Sequence, residues 1–137
     1  NNTIYGNFII ENHEGIRLQN TGLYTSINNR IYRNEIAHNK EQSIFIESSH
    51  SNQIYENNFK RSLFMYPHIW WICDIFHYFK YPSQRNVWFN NYWDRQRVGP
   101  KLIGGWLFYW WGDDYGIPFL FPWFNIDYNP AQEPYDI

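Results

Sequence analysis

Cysteine occurs once in this chain of 137 residues, at Cys73. That excludes an internal disulfide framework and a multi-cysteine zinc site, and a lone thiol reads as a small buried hydrophobe. Methionine is equally scarce, and no His-x-His or Cys-x-x-Cys pair occurs. Charge of one sign is lacking as well. Eleven Lys and Arg stand against thirteen Asp and Glu, net -2, with no basic cluster, so nucleic acid is not an expected partner. Long apolar runs are missing too: "LIGGWLFYWW" from Leu102 and "IPFLFPWF" from Ile117 are separated by "GDD" and fall short of the roughly 20 residues a bilayer span needs. Nothing at the N-terminus looks like a signal peptide. The chain opens on Asn inside a repeat, so we expect the C-terminal piece of something longer, with upstream coils as its neighbours.

What is present is a repeat. "NTIYGNFI" from Asn2, "NRIYRNEI" from Asn29, "NQIYENNF" from Asn52 and "NVWFNNYW" from Asn86 share the frame Asn-x-Ile/Trp-x-x-Asn-x-Ile/Phe/Trp. The intervals are 27, 23 and 34 residues. The shortest suits one turn of a solenoid, and the surplus of the others becomes loops on one face: "GLYTS" from Gly22, and an excursion over residues 63–85. "GIRL" from Gly15 and "SIFI" from Ser43 add a third short alternating segment to each turn. Ile31, Ile36, Ile44 and Ile46 form the inward set of the second turn, with Arg33, Glu35, Lys40 and Glu47 facing water. Spacings of two and five do not stay on one helical face.

The asparagines argue for a coil over a flat sheet. Asn2, Asn29, Asn52 and Asn86 head the copies, Asn7, Asn34, Asn57 and Asn91 follow at a fixed offset, and Asn12 and Asn39 take the next corner, with Ser62 in the third copy. Asn tolerates the left-handed conformation of a sharp corner. Its amide can also bond the equivalent amide one layer away. The expected fold is all-β: a right-handed parallel β-helix of three to four coils over residues 1–62 and 86–94. An irregular aromatic C-terminal cap over residues 95–137 completes it.

"GIRLQNT" and "SIFIESSHSNQIYENNF" resemble the repeats of the right-handed parallel β-helix family that includes the NosD-like periplasmic copper-binding proteins and the carbohydrate-binding and sugar-hydrolase β-helices. "NNYWD" from Asn90, followed by "PWFNIDYNPAQEPYDI", is similar to the C-terminus of archaeal secreted or surface members. The resemblance implies an extracellular, cell-surface or periplasm-like location.

Every tryptophan and every proline lies beyond Met65. A solenoid needs an atypical unit over its last open coil, and bulky indoles suit that work. Aromatic faces also stack on sugar rings, so the candidate carbohydrate-binding residues are Trp70, Trp71, Trp88 and Trp93, with Asp94 accepting hydroxyls. Residues 63–85 are expected to form a loop or a short helix, the latter with Ile69, Ile72, Cys73 and Phe76 inward.

Catalytic chemistry is not expected. Glycan cleavage requires gathered carboxylates, whereas Asp is absent before Asp74 and Glu11, Glu14, Glu35, Glu41, Glu47 and Glu56 fall at differing offsets. Asp113 and Asp114 are adjacent and would diverge. His13, His38, His50, His68, His77, Met65 and Cys73 show no converging spacing, so no metal and no cofactor is expected. The expected function is a non-catalytic module for a polysaccharide or cell-surface glycan. The alternatives are a purely structural surface solenoid and a NosD-like copper accessory protein.

Overall fold

The computed structural model describes residues 1–19, 26–47, 49–60, 69–73, 86–111 and 117–137, without the side chains of Glu47 and of residues 69–73, 104–111 and 117–124. The "GLYTS" segment up to Thr25, Ser62, Met65, His68, Phe76, His77, Asp113 and Asp114 lie outside it.

The described residues are all-β. The first turn of chain makes β1 (Thr3–Tyr5), β2 (Phe8–Ile10) and β3 (Ile16–Gln19); the second makes β4 (Arg30–Tyr32), β5 (Glu35–Ala37) and β6 (Ile44–Glu47). The third makes β7 (Gln53–Tyr55), β8 (Asn58–Phe59) and β9 (Ile69–Cys73), and the fourth β10 (Val87–Phe89) and β11 (Tyr92–Trp93). Each strand pairs in parallel with its counterpart one turn on. Three columns result: β1-β4-β7-β10, β2-β5-β8-β11 and β3-β6-β9.

Register follows the repeat frame. Ile4, Ile31, Ile54 and Trp88 line up in the first column, and Ile9, Ile36, Phe59 and Trp93 in the second. Ile16 and Ile44, then Leu18 and Ile46, align in the third. These side chains form one core, in which Ile31, Ile36, Ile44 and Ile54 are wholly buried. Truncating any of them to Ala costs about 2–5 kcal/mol. At Gly15 the turns approach so closely that a Cβ would run into the Ser43 carbonyl oxygen.

Two expectations are corrected by these elements. The cap is not irregular: β12 (Lys101–Trp111) and β13 (Ile117–Asp127) form an antiparallel hairpin of eleven residues per strand. β13 meets β10 at Asp127 and Trp88, and β12 pairs with β9, so the hairpin joins the last strands of two columns in a nine-stranded sheet. Alternation in "LIGGWLFYWW" could not show this, since aromatic bulk is compatible with a plug or a strand. Within the excursion, Ile69–Cys73 is a strand and not a helix: it extends β6 in parallel, with Ile44 opposite Ile69 and Ile46 opposite Trp71. An open strand edge offered backbone partners that a helix would have left unmet.

Candidate functional site

The repeated asparagines meet side by side. In one column Asn2 donates its backbone N–H and Nδ2 to Asn29 Oδ1 at 2.8 and 3.2 Å. Asn29 does the same to Asn52 at 2.9 Å for both bonds, and Asn52 to Asn86 at 3.0 and 2.9 Å. In the next column Asn7 donates to Asn34, Asn34 to Asn57, and Asn57 to Asn91, all at 3.0–3.1 Å. At the third corner Asn12 N–H donates to Asn39 Oδ1 at 3.0 Å. Nδ2 of Asn34, Asn57 and Asn91 also reaches back to the carbonyls of Ile4, Ile31 and Ile54. These amides are buried, and leaving one such polar group unpaired costs about 1–3 kcal/mol.

The ladder asparagines do not adopt the left-handed conformation expected of them. The left-handed residues are the ones just ahead: Gly6, Glu11, Asn28, Arg33, His38, Ser51, Glu56 and Asn90 have φ between 51° and 65°. For residues other than Gly this costs about 1–2 kcal/mol each. The following asparagine closes the turn around the strained residue. Nδ2 of Asn7, Asn34, Asn57 and Asn91 donates to the carbonyls of Tyr5, Tyr32, Tyr55 and Phe89.

Sequence reasoning missed the end of the second column, Asp127. Its Oδ2 accepts from Asn91 N–H at 3.0 Å, Asn91 Nδ2 at 3.1 Å and Trp93 Nε1 at 3.1 Å, while Oδ1 accepts from Asn129 N–H. Asp127 has no amide N–H to donate onward, so it ends a ladder that each amide would otherwise pass on. Nothing in the local sequence signals this, because Asp127 lies outside the repeat frame.

The aromatic candidates separate. Trp88 and Trp93 are 2% and 3% exposed and pack on Phe59, with Phe59 and Trp93 stacked at 4.6 Å. They are core, and no sugar ring reaches them. They stand in register with the isoleucine columns, so core geometry claims them first. Asp94 is exposed and left-handed at φ 61°. Trp70 lies opposite Phe45 in the register and Trp71 opposite Ile46.

An aromatic column does reach the surface, and the sequence carries its signal at the fourth place of the frame. Tyr5, Tyr32, Tyr55 and Phe89 stack at 5.4, 4.9 and 4.8 Å with interplanar angles of 10° or less. Burial, with Tyr32 alongside, raises the Tyr55 phenol above its ordinary value. Ring faces are used up within the stack, which leaves hydroxyls and edges outward and the outer face of Tyr5 open. The three tyrosines wall a cleft of about 420 Å³ with Arg33, Glu56 and Asp136. Arg33 and Glu56 pair at 3.0 Å. Asn58 holds the C-terminal segment across this face through both backbone groups of Tyr135, at 2.8 Å each, and Tyr135 Oη donates to Asn90 O at 2.7 Å.

One group of possible metal ligands assembles among the described residues, where the sequence showed neither gathered carboxylates nor converging histidines. His13, Glu14 and Glu41 each bring a ligand atom within 4.8 Å of the others, with His13 Nε2 3.3 Å from Glu41. Backbone pairing of Glu41 N–H to His13 O sets them side by side, an adjacency across turns that spacing within one copy does not display. Both oxygens of Glu14 accept from Arg17, at 2.8 and 2.6 Å, and the guanidinium holds this carboxyl below the usual carboxylate range. His38 is exposed on its own corner, and His50 is buried with Nδ1 2.9 Å from Ser51 Oγ.

No helix among the described residues is long and apolar enough to cross a membrane. Neither the curated proteins nor the solved structures yield a match. Residues 1–66, which hold the first two turns and the start of the third, match the family model described as periplasmic copper-binding protein (NosD), a parallel β-helix family.

Proposed function

We propose that the chain is a non-catalytic right-handed parallel β-helix module that works outside the cytoplasm as a copper accessory of the NosD kind. The observation that carries this reading is the family match over residues 1–66, the stretch that also holds His13, Glu14 and Glu41. One imidazole nitrogen and carboxylate oxygens suit a cupric ion, whereas cuprous copper asks for sulfur. His13 and Glu41 would hold the ion, and Glu14 would join by giving up Arg17. Bound copper would supply a transferable cargo and no chemistry on a substrate. Calorimetric titration with cupric ion tests it: we expect uptake at micromolar concentration, weakened about tenfold or more in His13→Ala. No uptake below millimolar would remove the reading.

A second reading is favoured by the tyrosine cleft. Three phenol hydroxyls, the Arg33 and Glu56 pair and Asp136 suit a neutral polyhydroxylated ligand, so a short glycan is the second proposed partner. It is supported by cleft chemistry, not by Trp88 or Trp93. Glycan-array binding that is lost in Tyr32→Ala and Tyr55→Ala supports it, and an intact protein silent on the array rejects it. Failure of both assays leaves a structural surface solenoid.

A further inference from the structure

Where the last coil passes into the hairpin, Arg95, Arg97 and Lys101 follow one another closely. They are too few to read as a basic run, and the structure gives them weight by leaving them unpaired. The ion pairs among the described residues all lie on the coils, and none includes these three cations. Asp127 stands opposite Lys101 in the hairpin register, yet its oxygens are taken by Asn91, Trp93 and Asn129. Arg97 Nε is buried without an acceptor. The segment is also held in place: Arg95 N–H donates to Trp93 O at 2.7 Å, Lys101 Nζ lies 5.6 Å from the centre of the Trp93 ring, and Gln132 Nε2 donates to Arg97 O at 2.7 Å. Burial, with Arg97 and Arg95 nearby, lowers the Lys101 ammonium below its ordinary value. Fixed cations that repel one another favour an anion from outside.

Apolar groups sit among them. Val98 is wholly exposed, Leu102 is exposed by 57% and Tyr128, next to Asp127, by 76%. From Leu102 to Trp111, and back from Ile117 to Ile126, the paired strands hold no charged residue. An antiparallel strand with one wet face alternates apolar with polar, and neither of these does. Trp106 lies opposite Pro122, Leu107 opposite Phe121 and Phe108 opposite Leu120; successive pairs belong to opposite faces of a sheet, so both faces call for an apolar or interfacial neighbour. Strands of this length match bilayer depth. Among the described residues, however, the second side of β13 is paired only at Asp127, and hydrocarbon does not accept an open strand edge. The headgroup layer does, and tryptophan and tyrosine settle there.

We propose that the hairpin and the cationic segment at its base dock on the headgroup layer of an anionic lipid bilayer, with Arg95, Arg97 and Lys101 on the phosphates and Val98 and Leu102 entering beneath them. The inference is independent of the copper and glycan readings. A second copy is a poorer occupant, because a two-fold contact through this surface would set the same three cations against one another.

The test sediments the full chain with vesicles of phosphatidylcholine, alone or mixed with phosphatidylserine. Capture by the anionic vesicles is expected to be about tenfold stronger or more, and to fall about tenfold when salt is raised from about 0.1 M to about 1 M. Replacing the three cations together, by Arg95→Gln, Arg97→Gln and Lys101→Gln, is expected to weaken capture about a hundredfold. Val98→Ser with Leu102→Ser should weaken it about tenfold. Arg30→Gln, at an exposed cation of β4, should leave it within about twofold. An unchanged melting temperature shows that the variants fold, and the salt series needs no variant. Equal capture of neutral and anionic vesicles, or capture indifferent to salt or to the triple replacement, overturns the proposal. Lipids with brominated acyl chains are expected to quench tryptophan emission on capture; capture without quenching takes the hairpin off the surface and overturns it. Inorganic phosphate that displaces the chain at millimolar concentration assigns the cations to a free oxyanion, and a dimer that ignores both vesicles assigns the surface to a second copy; either result overturns the proposal.

Discussion

The coils hold strands of two to five residues together across turns of 23 to 34 residues, whereas the hairpin pairs two strands of eleven residues with a continuous antiparallel register from Lys101 opposite Asp127 to Trp111 opposite Ile117. A strand so short makes too few backbone bonds to fix its own register. In the coils, side-chain amides supply the missing specificity at every corner. In the hairpin the backbone ladder is long enough to do without them, and "IPFLFPWF" can even carry Pro118 and Pro122, which donate no hydrogen bond. The lesson is that polar side chains are structural where strands are short, and bulk is structural where strands are long. Asp127 sits at the junction of the two systems.

Substitutions at five positions and one titration test this contrast, beginning with the largest expected effect. Asn57→Ala leaves Asn34 N–H without its acceptor, takes one of three acceptors from Asn34 Nδ2 and removes the Asn57 Nδ2 bonds to Asn91 and Ile31, and we expect a loss of about 3–5 kcal/mol in urea unfolding; Asn7→Ala, whose Oδ1 accepts nothing among the described residues, should cost about 1 kcal/mol. If the two cost the same, the ladder is not what holds the coils. Asp127→Ala strips the acceptor from three buried donors of Asn91 and Trp93 and is expected to cost about 3 kcal/mol, with Asp127→Asn restoring roughly half by keeping one oxygen. Gly15→Ala meets the Ser43 carbonyl and should cost about 2 kcal/mol, read as a lowered melting temperature. Asn125→Ala in the hairpin, where that side chain makes no hydrogen bond among the described residues, should stay within about 0.5 kcal/mol; a loss like that of Asn57→Ala would erase the difference between the regions.

A further small effect is with pH. Because the folded Glu14 carboxyl is held below its ordinary value by Arg17, its contribution is present above the unfolded value of about 4.5 and is lost as pH falls through the lowered folded value. Arg17→Met should flatten that acid limb by under about 1 kcal/mol, as measured by unfolding at pH 6 and pH 3.

Much of the coil was legible because it is periodic. The frame of Asn and Ile predicts the pairing of Ile4, Ile31 and Ile54, and the tyrosine at its fourth place predicts an aromatic column, although only the structure drew attention to it. The corner strain was assigned to the wrong neighbour: a left-handed residue leaves its trace in the asparagine that follows, since that side chain bonds the carbonyl two residues back. Trp88 and Trp93 share the frame positions of isoleucine, which marked them as core more plainly than their chemistry marked them as ligand-binding. His13, Glu14 and Glu41 were hidden, because their approach depends on how far one turn slides over the next.

By itself the sequence determined which residues face inward, where the chain turns and at what interval the turns superpose, since a period of apolar and amide residues has only one winding that buries the first and pairs the second. Only the tertiary structure decided where the ladder stops, which aromatics stay outside and which polar groups gather across turns. Those outcomes depend on residues far apart in the chain, such as Asp127 with Asn91 or Glu41 with His13, whose meeting no local pattern encodes.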